Sequence, residues 1–300
     1  MKRVLVTGAS GFVGRHSLPL LIERGYEVHA VARGAIAATA EVRWHACDLL
    51  DDRAVGALLA EVRPSHLLHL AWYAVPGSFW SAPENLDWAA ATLRLVRGFA
   101  AHGGRRLAAA GSCAEYDWSH ARLAETTTPC TPHSLYGTAK NAVRACIEQV
   151  AARLGLSWAW GRLFFLYGPH EASGRLVSDV IAGLLAGRRV AVSEGTQRRD
   201  FLHVEDVARA LVALLDGAFE GPLNVASGTV VPVRDIVARI GALTGRAELI
   251  DYGARPVPAG DPVELVGAVD RLTALGFRPR YDLEAGLAET VAWWRGRERP

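Results

Sequence analysis

Short apolar runs alternate with longer amphipathic stretches through the first half of the chain. "RVLVTG" (3–8) predicts a strand and residues 12–24 a helix. "EVHAVAR" (27–33), "HLLHLA" (66–71), "RRLAAAGS" (105–112) and "LSWAWGRLFFLYG" (156–168) read as further strands, and residues 51–62, 84–102 and 134–154 as helices. Strands that alternate with helices imply crossover units, and hence a parallel sheet covered on both faces. Beyond "YGPHE" (167–171) the alternation loosens, and Pro and Gly become frequent around 253–262. The expected fold is α/β: a Rossmann-type, doubly wound parallel sheet with a smaller C-terminal α/β substrate domain. The first domain is expected over 1–166, with chain returning to it near 199–216. The substrate domain takes most of 167–300.

Composition narrows the function more by exclusion than by direction. The chain has 300 residues, half of them apolar, enough for a sizeable core. A net charge of +2 with scattered Lys and Arg implies no nucleic-acid partner and no membrane-surface field. No run approaches the ~20 apolar residues of a membrane span, and "MKRVLVTGAS" lacks the apolar stretch of a signal peptide. A cytoplasmic location is therefore expected. The cysteines at 47, 113, 130 and 146 form no CxxC pair, so neither a metal site nor a disulfide framework is suggested.

The first chemical signal is "VLVTGASGFVG" (4–14). Gly8, Gly11 and Gly14 end a strand and open a helix. Glycines there allow a tight turn, close approach of a pyrophosphate, and close helix–strand packing. The helix N-terminus offers free N–H groups and the positive end of its dipole to phosphates. A carboxylate ~20 residues further on would bind the adenosine ribose and favour NAD. Ala32 and Arg33 stand there instead. With no carboxylate to repel a 2′-phosphate and a guanidinium to pair with one, NADP(H) is favoured and NAD(H) remains possible. Asp48, at the end of the next apolar run, either accepts from the adenine amino group or caps the helix at 51–62.

The second signal is "SLYGTAK" (134–140). Tyr136 and Lys140 are four residues apart and share one helix face. A free tyrosine titrates near ~10. A nearby ammonium favours the phenolate and brings the phenol towards the working range of a general acid or base. A carbonyl–alcohol couple also needs a hydroxyl to hold the substrate oxygen, and Ser112 ends a predicted strand at the carboxyl edge of the sheet.

Gly8-x-x-Gly11-x-x-Gly14, Ser112 and Tyr136-x-x-x-Lys140 together resemble the extended short-chain dehydrogenase/reductases. More narrowly, the chain resembles the NAD(P)-dependent epimerase/dehydratase group that acts on nucleotide sugars. "HLA" (69–71), "RLFFLYGP" (162–169), "RRDFLHVEDVARA" (198–210) and "LNVASG" (223–228) extend the resemblance over almost the whole chain. The resemblance implies that Tyr136 exchanges the proton, Ser112 polarises the carbonyl and Lys140 also holds the nicotinamide ribose. It places Gly8, Gly11, Phe12 and Val13 along the pyrophosphate, Asp48 and Leu49 at the adenine, and Leu70 and Ala71 on the nicotinamide side. Asn85 matches a structural or proton-relay asparagine, and Arg199 an arginine on the sugar-nucleotide pyrophosphate. By charge alone Arg199 would be a solvated surface residue. A homodimer through the helices at 84–102 and 134–154 is implied as well.

Departures from the group narrow the reaction. The 4,6-dehydratases carry Asp-Glu after the catalytic hydroxyl residue, where this chain has Cys113 and Ala114; Glu115 is one position too late. Cys113 is also one position short of the cysteine of GDP-fucose synthase-like enzymes, and a buried small residue suits it better than a base. Phe165 replaces an asparagine that usually touches the sugar or its phosphate, so the substrate pose is expected to differ. Trp72, Tyr73 and Trp80 lie in an aromatic-rich stretch (71–80) that either faces a sugar or the nicotinamide, or packs beneath a loop. The expected activity is reduction of a 4-keto-6-deoxy nucleotide sugar. The rival is a nucleotide-sugar 4-epimerase with tightly bound NAD. A non-catalytic dinucleotide sensor is a remote third, since such relatives usually lack the Tyr–Lys pair.

Overall fold

The computed structural model describes residues 2–34, 36, 39–257 and 260–297. Pro258 and Ala259, within the Pro- and Gly-rich stretch, lie outside the described residues. The chain divides into two compact units. The first takes the chain through Asp117, then Pro129–Leu163 and Ala208–Val225. The second takes Trp118–Thr128, Phe164–Val207 and the chain from Ala226 on.

The first unit is built on strands β1 (Arg3–Thr7), β2 (Glu27–Ala32), β3 (Val42–Ala46), β4 (His66–His69) and β5 (Arg106–Ser112). The second unit contributes β6 (Arg122–Leu123), and β7 (Ser157–Leu163) returns the chain to the first. Next come β8 (Phe165–Tyr167), β9 (Val190–Ala191) and β10 (Arg198–His203) in the second unit, β11 (Gly221–Val225) in the first, and β12 (Val230–Pro232), β13 (Ile250–Asp251) and β14 (Glu264–Gly267) in the second. Helices are α1 (Phe12–Glu23), α2 (Asp52–Val62), α3 (Glu84–Ala101), α4 (Leu135–Val150), α5 (Leu176–Leu185), α6 (Val204–Asp216), α7 (Val233–Thr244), α8 (Asp270–Ala274) and α9 (Leu283–Arg297).

Seven parallel strands in the order β11-β7-β5-β4-β1-β2-β3 form the sheet of the first unit. The chain winds outward from β1 through β2 and β3, then crosses to β4 and winds the other way. The order therefore reverses between β1 and β4, and ligands of such sheets bind outside the carboxyl ends of the strands at that point. The central strands are buried on both faces, as β5 shows with all seven residues buried. Alanine and glycine fill "LAAAG" there because helices cover both sides. Helix α2 shows why the amphipathic stretches fold: Val55, Leu58, Leu59 and Val62 are buried along one face. Its N-cap is Asp51, which accepts from the N–H groups of Arg53 (2.9 Å) and Ala54 (3.1 Å). The capping role considered for Asp48 thus falls to Asp51. Asp48 instead accepts from Leu50 N–H (3.0 Å), closing the turn before the helix.

In the second unit β8 and β10 pair in parallel, and β10 also pairs with β12 and β14. The stretch 156–168 is two strands in two sheets, β7 in the first unit and β8 in the second. Residues 199–207 likewise belong to the second unit, and chain returns to the first over 208–225 rather than 199–216. The reason is pairing: β10 finds its partners in the small sheet, while β11 completes the large one beside β7. Tyr167, Ile181, Leu184, Ile236, Ile240 and Leu287 form the second unit's own core. No helix among the described residues is long and apolar enough to cross a membrane.

Candidate active site

The glycine turn sits at the switch point of the large sheet. Gly8 follows β1 with φ of +68°, a conformation that L side chains rarely adopt. A Cβ on it would stand 2.7 Å from Ala71 N and 2.8 Å from Leu70 C, so the backbone after β4 lies directly against the turn. Gly11 donates to Gly8 O (2.9 Å) and becomes the N-cap of α1, with no side chain capping the helix. A Cβ on Gly14 would collide with Gly8 O and Ala9 Cα. Phe12 and Val13 form the first turn, which carries no acidic residue. An uncapped, acid-free helix start behind a glycine cradle fits a dinucleotide pyrophosphate. Arg33 is exposed just beyond β2. Leu49 is buried and packs in the core with Val55 and Leu59.

Ser112 is the last residue of β5. Its Oγ accepts from Ala114 N–H (3.1 Å), which leaves its own hydrogen available for a substrate oxygen. Tyr136 and Lys140 both lie in α4, whose N-cap Ser134 accepts from Gly137 N–H (3.1 Å). Lys140 is 3 % exposed, and its Nζ donates to Ala110 O (2.8 Å), two residues before Ser112 on β5. The ammonium stands 3.9 Å from the centroid of the Trp72 ring, a close cation–π arrangement. Burial drives the Lys140 pKa down to about 7, against the opposing pull of the Glu115 carboxylate. Below the site His69 is locked between Thr7 Oγ1 (2.7 Å) and Thr92 Oγ1 (3.0 Å). Burial, and then the charge of Lys140, push His69 down to about 3, so it stays neutral.

An aromatic wall of the same unit encloses Tyr136. Its ring meets Phe79 at 4.9 Å, Trp80 at 5.8 Å and Trp72 at 6.5 Å between centroids, each edge to face. Tyr136 N–H donates to Trp80 O (3.1 Å), so the backbone of the loop is fixed to the start of α4. Asn85, fully buried in α3, ties the loop from behind. It donates to Phe79 O and Ala82 O (both 2.8 Å) and accepts from Trp72 Nε1–H (2.9 Å). Of the two roles open to Asn85, the structural one has these three bonds behind it. Trp72 and Trp80 therefore pack on the tyrosine itself, while Tyr73 is half-buried beside them.

Among the remaining residues singled out by sequence, Cys113 is buried in a short 3₁₀ turn (Cys113–Glu115) rather than in extended chain. Arg199 and Phe165 are neighbours in the second unit. Arg199 is 4 % exposed rather than solvated, and it donates to Asp261 Oδ1 (2.7 Å) and to Arg198 O (2.9 Å). Its guanidinium stands 5.5 Å from the Phe165 ring centroid. Ser112, Tyr136, Lys140, the glycine turn, Leu70, Ala71 and Trp72 all belong to the first unit. None of the four cysteines is in a disulfide, and no group of three or more potential metal ligands stands together among the described residues.

Sequence reasoning missed Phe79, Glu115, Trp160 and Arg162. Phe79 gives no signal beyond belonging to the aromatic stretch. Glu115 stands out in the sequence only against dehydratase positions, which it does not fill. Its true signal is a carboxylate three residues after a serine, the capping-box spacing. The structure closes that box with Ser112 and buries Glu115 completely.

A sequence model of the NAD dependent epimerase/dehydratase family matches residues 4–226. The chain is 28 % identical to a dTDP-4-dehydro-6-deoxy-D-allose reductase of Streptomyces sp over 99 % of this chain and 98 % of that protein. Among solved structures it is similar to MoeE5 in complex with UDP-glucuronic acid and NAD, at 33 % identity and a TM-score of 0.85, covering 98 % and 99 % of the two chains. The UDP-glucose 4-epimerase of Thermus thermophilus in complex with NAD gives 27 % identity and a TM-score of 0.86, again covering 98 % and 99 % of the two chains. The chain belongs to the NAD dependent epimerase/dehydratase family.

Proposed function

We propose that this protein reduces a 4-keto-6-deoxy nucleotide sugar with NADPH. Ser112 donates a hydrogen bond to the carbonyl oxygen. Tyr136 delivers a proton to that oxygen as it becomes an alkoxide, and the Lys140 ammonium favours the phenolate left behind. The glycine turn and Arg33 would hold the dinucleotide, which would supply the hydride. The sugar end of the substrate would lie by Trp72 and Tyr73.

The observation that carries this reading is the aromatic wall of Trp72, Phe79 and Trp80 around Tyr136. A methyl at C6 gains from such a surface. A hydroxyl held there without a partner costs about 1–3 kcal/mol. Cys113 and Ala114 offer no acid and base for water elimination, which argues against dehydration. The full-length likeness to a reductase of a 4-dehydro-6-deoxy sugar nucleotide supports the same reading. A nucleotide-sugar 4-epimerase is the second reading, favoured by the solved relatives that hold NAD. A homodimer is proposed through α3 and α4, which leave an apolar groove lined by Leu93, Val96, Val150 and Leu154. A cytoplasmic location completes the proposal.

The test is incubation with dTDP-4-keto-6-deoxyglucose, made in place by a separate dehydratase, following NADPH absorbance. A parallel arm offers UDP-glucose without added cofactor and resolves UDP-galactose by chromatography. NADPH consumption in the first arm alone supports the reductase. Conversion in the second arm with none in the first would replace it by the epimerase.

A further inference from the structure

We propose that Glu115 is a positioning residue of this site, whose fully buried carboxylate fixes the backbone of Ser112 and supplies the negative charge that acts on Lys140. The inference rests on the reading that Ser112, Tyr136 and Lys140 perform the chemistry.

Glu115 is 0 % exposed, and both its oxygens are engaged. Oε1 accepts from the backbone N–H of Ser112 (2.8 Å) and from Trp160 Nε1–H (2.8 Å). Oε2 accepts from Arg162 Nε (2.8 Å). A carboxylate with three donors in a dry site is well held and geometrically demanding. The backbone leaves room for it: a Cβ at Gly111 would collide with Trp160 Nε1 and stand 2.5 Å from Glu115 Oε1. A glycine just before the serine thus lets this carboxylate reach under the end of β5. The serine hydroxyl is set by the same short turn, through its bond from Ala114 N–H.

Trp160 connects this carboxylate to the lysine. Its indole N–H is on Glu115, and the ring centroid is 5.9 Å from Lys140 Nζ. Around Lys140 stand neutral His69 from β4, the Ala110 carbonyl of β5, Trp72 from the loop after β4 and Trp160 from β7, with Tyr136 one turn earlier on its own helix. Arg162 is a cation, already paired with Glu115 at 1 % and 0 % side-chain exposure. Among the charges acting on Lys140, Glu115 is the one that favours its ammonium form, against the burial that lowers it. A buried ion pair is weak evidence of a stabilising role, because replacing both partners by apolar residues is often neutral. A carboxylate kept here at that desolvation cost is explained by the two groups it serves.

The experiment compares the parent with Glu115→Gln, the double variant Glu115→Leu/Arg162→Met, and Tyr136→Phe. Each is first titrated with NADPH by fluorescence to confirm a folded cofactor site. Turnover of dTDP-4-keto-6-deoxyglucose is then followed from pH 5.5 to 9.5. The double variant removes both charges, so it leaves no unpaired ion. It should bind NADPH as the parent does, yet lose at least ~10-fold in kcat, with the basic limb of the profile moved down by about one pH unit. Glu115→Gln keeps an acceptor for Ser112 N–H but not the charge. It should show the same shift of the limb with a smaller fall in kcat, and it serves as the readout if the double variant does not fold. Parental kcat and a parental basic limb in the double variant would overturn the inference and leave Glu115 as an ion-pair partner only. If Tyr136→Phe also turns over at the parental rate, it is the underlying reading of the site that has failed.

Discussion

Replacing Asn85 by alanine isolates the loop that encloses Tyr136. The side chain is fully buried and makes three hydrogen bonds: from Trp72 Nε1–H at 2.9 Å, and to Phe79 O and Ala82 O at 2.8 Å each. Ala82 O keeps a second donor, the backbone N–H of Asn85 (3.1 Å), so its loss is the smallest. Trp72 is only half-buried, and water can in part replace its partner. At about 0.5–1.5 kcal/mol for each net bond, plus a small cavity, Asn85→Ala should cost about 2–4 kcal/mol. The loop carries Trp72, Phe79 and Trp80, whose rings bear on Tyr136, so kcat should fall by at least ~10-fold through misplacement of the acid. Urea unfolding followed by tryptophan fluorescence measures the first effect, and NADPH consumption on the same protein the second. Asn85→Asp is a sharper probe. It keeps the shape but loses both N–H donors and sets carboxyl oxygens against two carbonyls. At pH 8 it should be no more stable than the alanine variant. Burial raises the folded pKa of the new carboxyl, so its penalty should ease as pH falls and it regains one donor. A parental urea midpoint together with parental kcat in Asn85→Ala would refute the reasoning.

Other outcomes follow from single sites. Gly14→Ala puts a Cβ against Gly8 O and Ala9 Cα, so NADPH affinity should drop at least ~30-fold in a fluorescence titration; an unchanged Kd would count against the cradle. Arg33→Ala should weaken NADPH by about 1.5–3 kcal/mol and leave NADH unaffected, and equal affinity of the parent for both cofactors defeats the assignment. Burial raises Glu171 from 4.5 to about 8, outweighing its bond from Ser178 N–H. Between those values the unfolded chain has released a proton that the fold retains, so stability falls as pH rises from 4.5 to about 8. Glu171→Gln cannot ionise, and its Tm should lose less than the parent's as pH is raised across that window.

The local signals in the sequence were those whose physics is local. The strand–glycine–helix turn at 4–14, the amphipathic helix at 51–62 and the i,i+4 pair Tyr136–Lys140 are each specified within a few residues. Their spacing and residue types can be read without knowing where the rest of the chain goes. The parallel sheet was legible for the same reason, because alternating strands and helices leave few other topologies.

What the sequence left open depends on groups far apart in the chain. "LSWAWGRLFFLYG" reads as one apolar run, and only strand pairing splits it between two sheets, β7 beside β5 and β8 beside β10. The sequence offered Asp48 as a cap, and the backbone geometry at 51 gave that role to Asp51 instead. Arg199 looks solvated by charge alone, until Asp261, 62 positions away, pairs with it. Glu115 looks like a misplaced dehydratase acid, until β7 brings Trp160 and Arg162 to its two oxygens and Gly111 clears its path. The sequence by itself determined which residue types stand at chemically suggestive spacings and where a strand, a glycine turn and a helix follow one another. Tertiary structure alone decided which buried charges meet, because pairing energy depends on distance and desolvation between elements that the linear order does not place side by side.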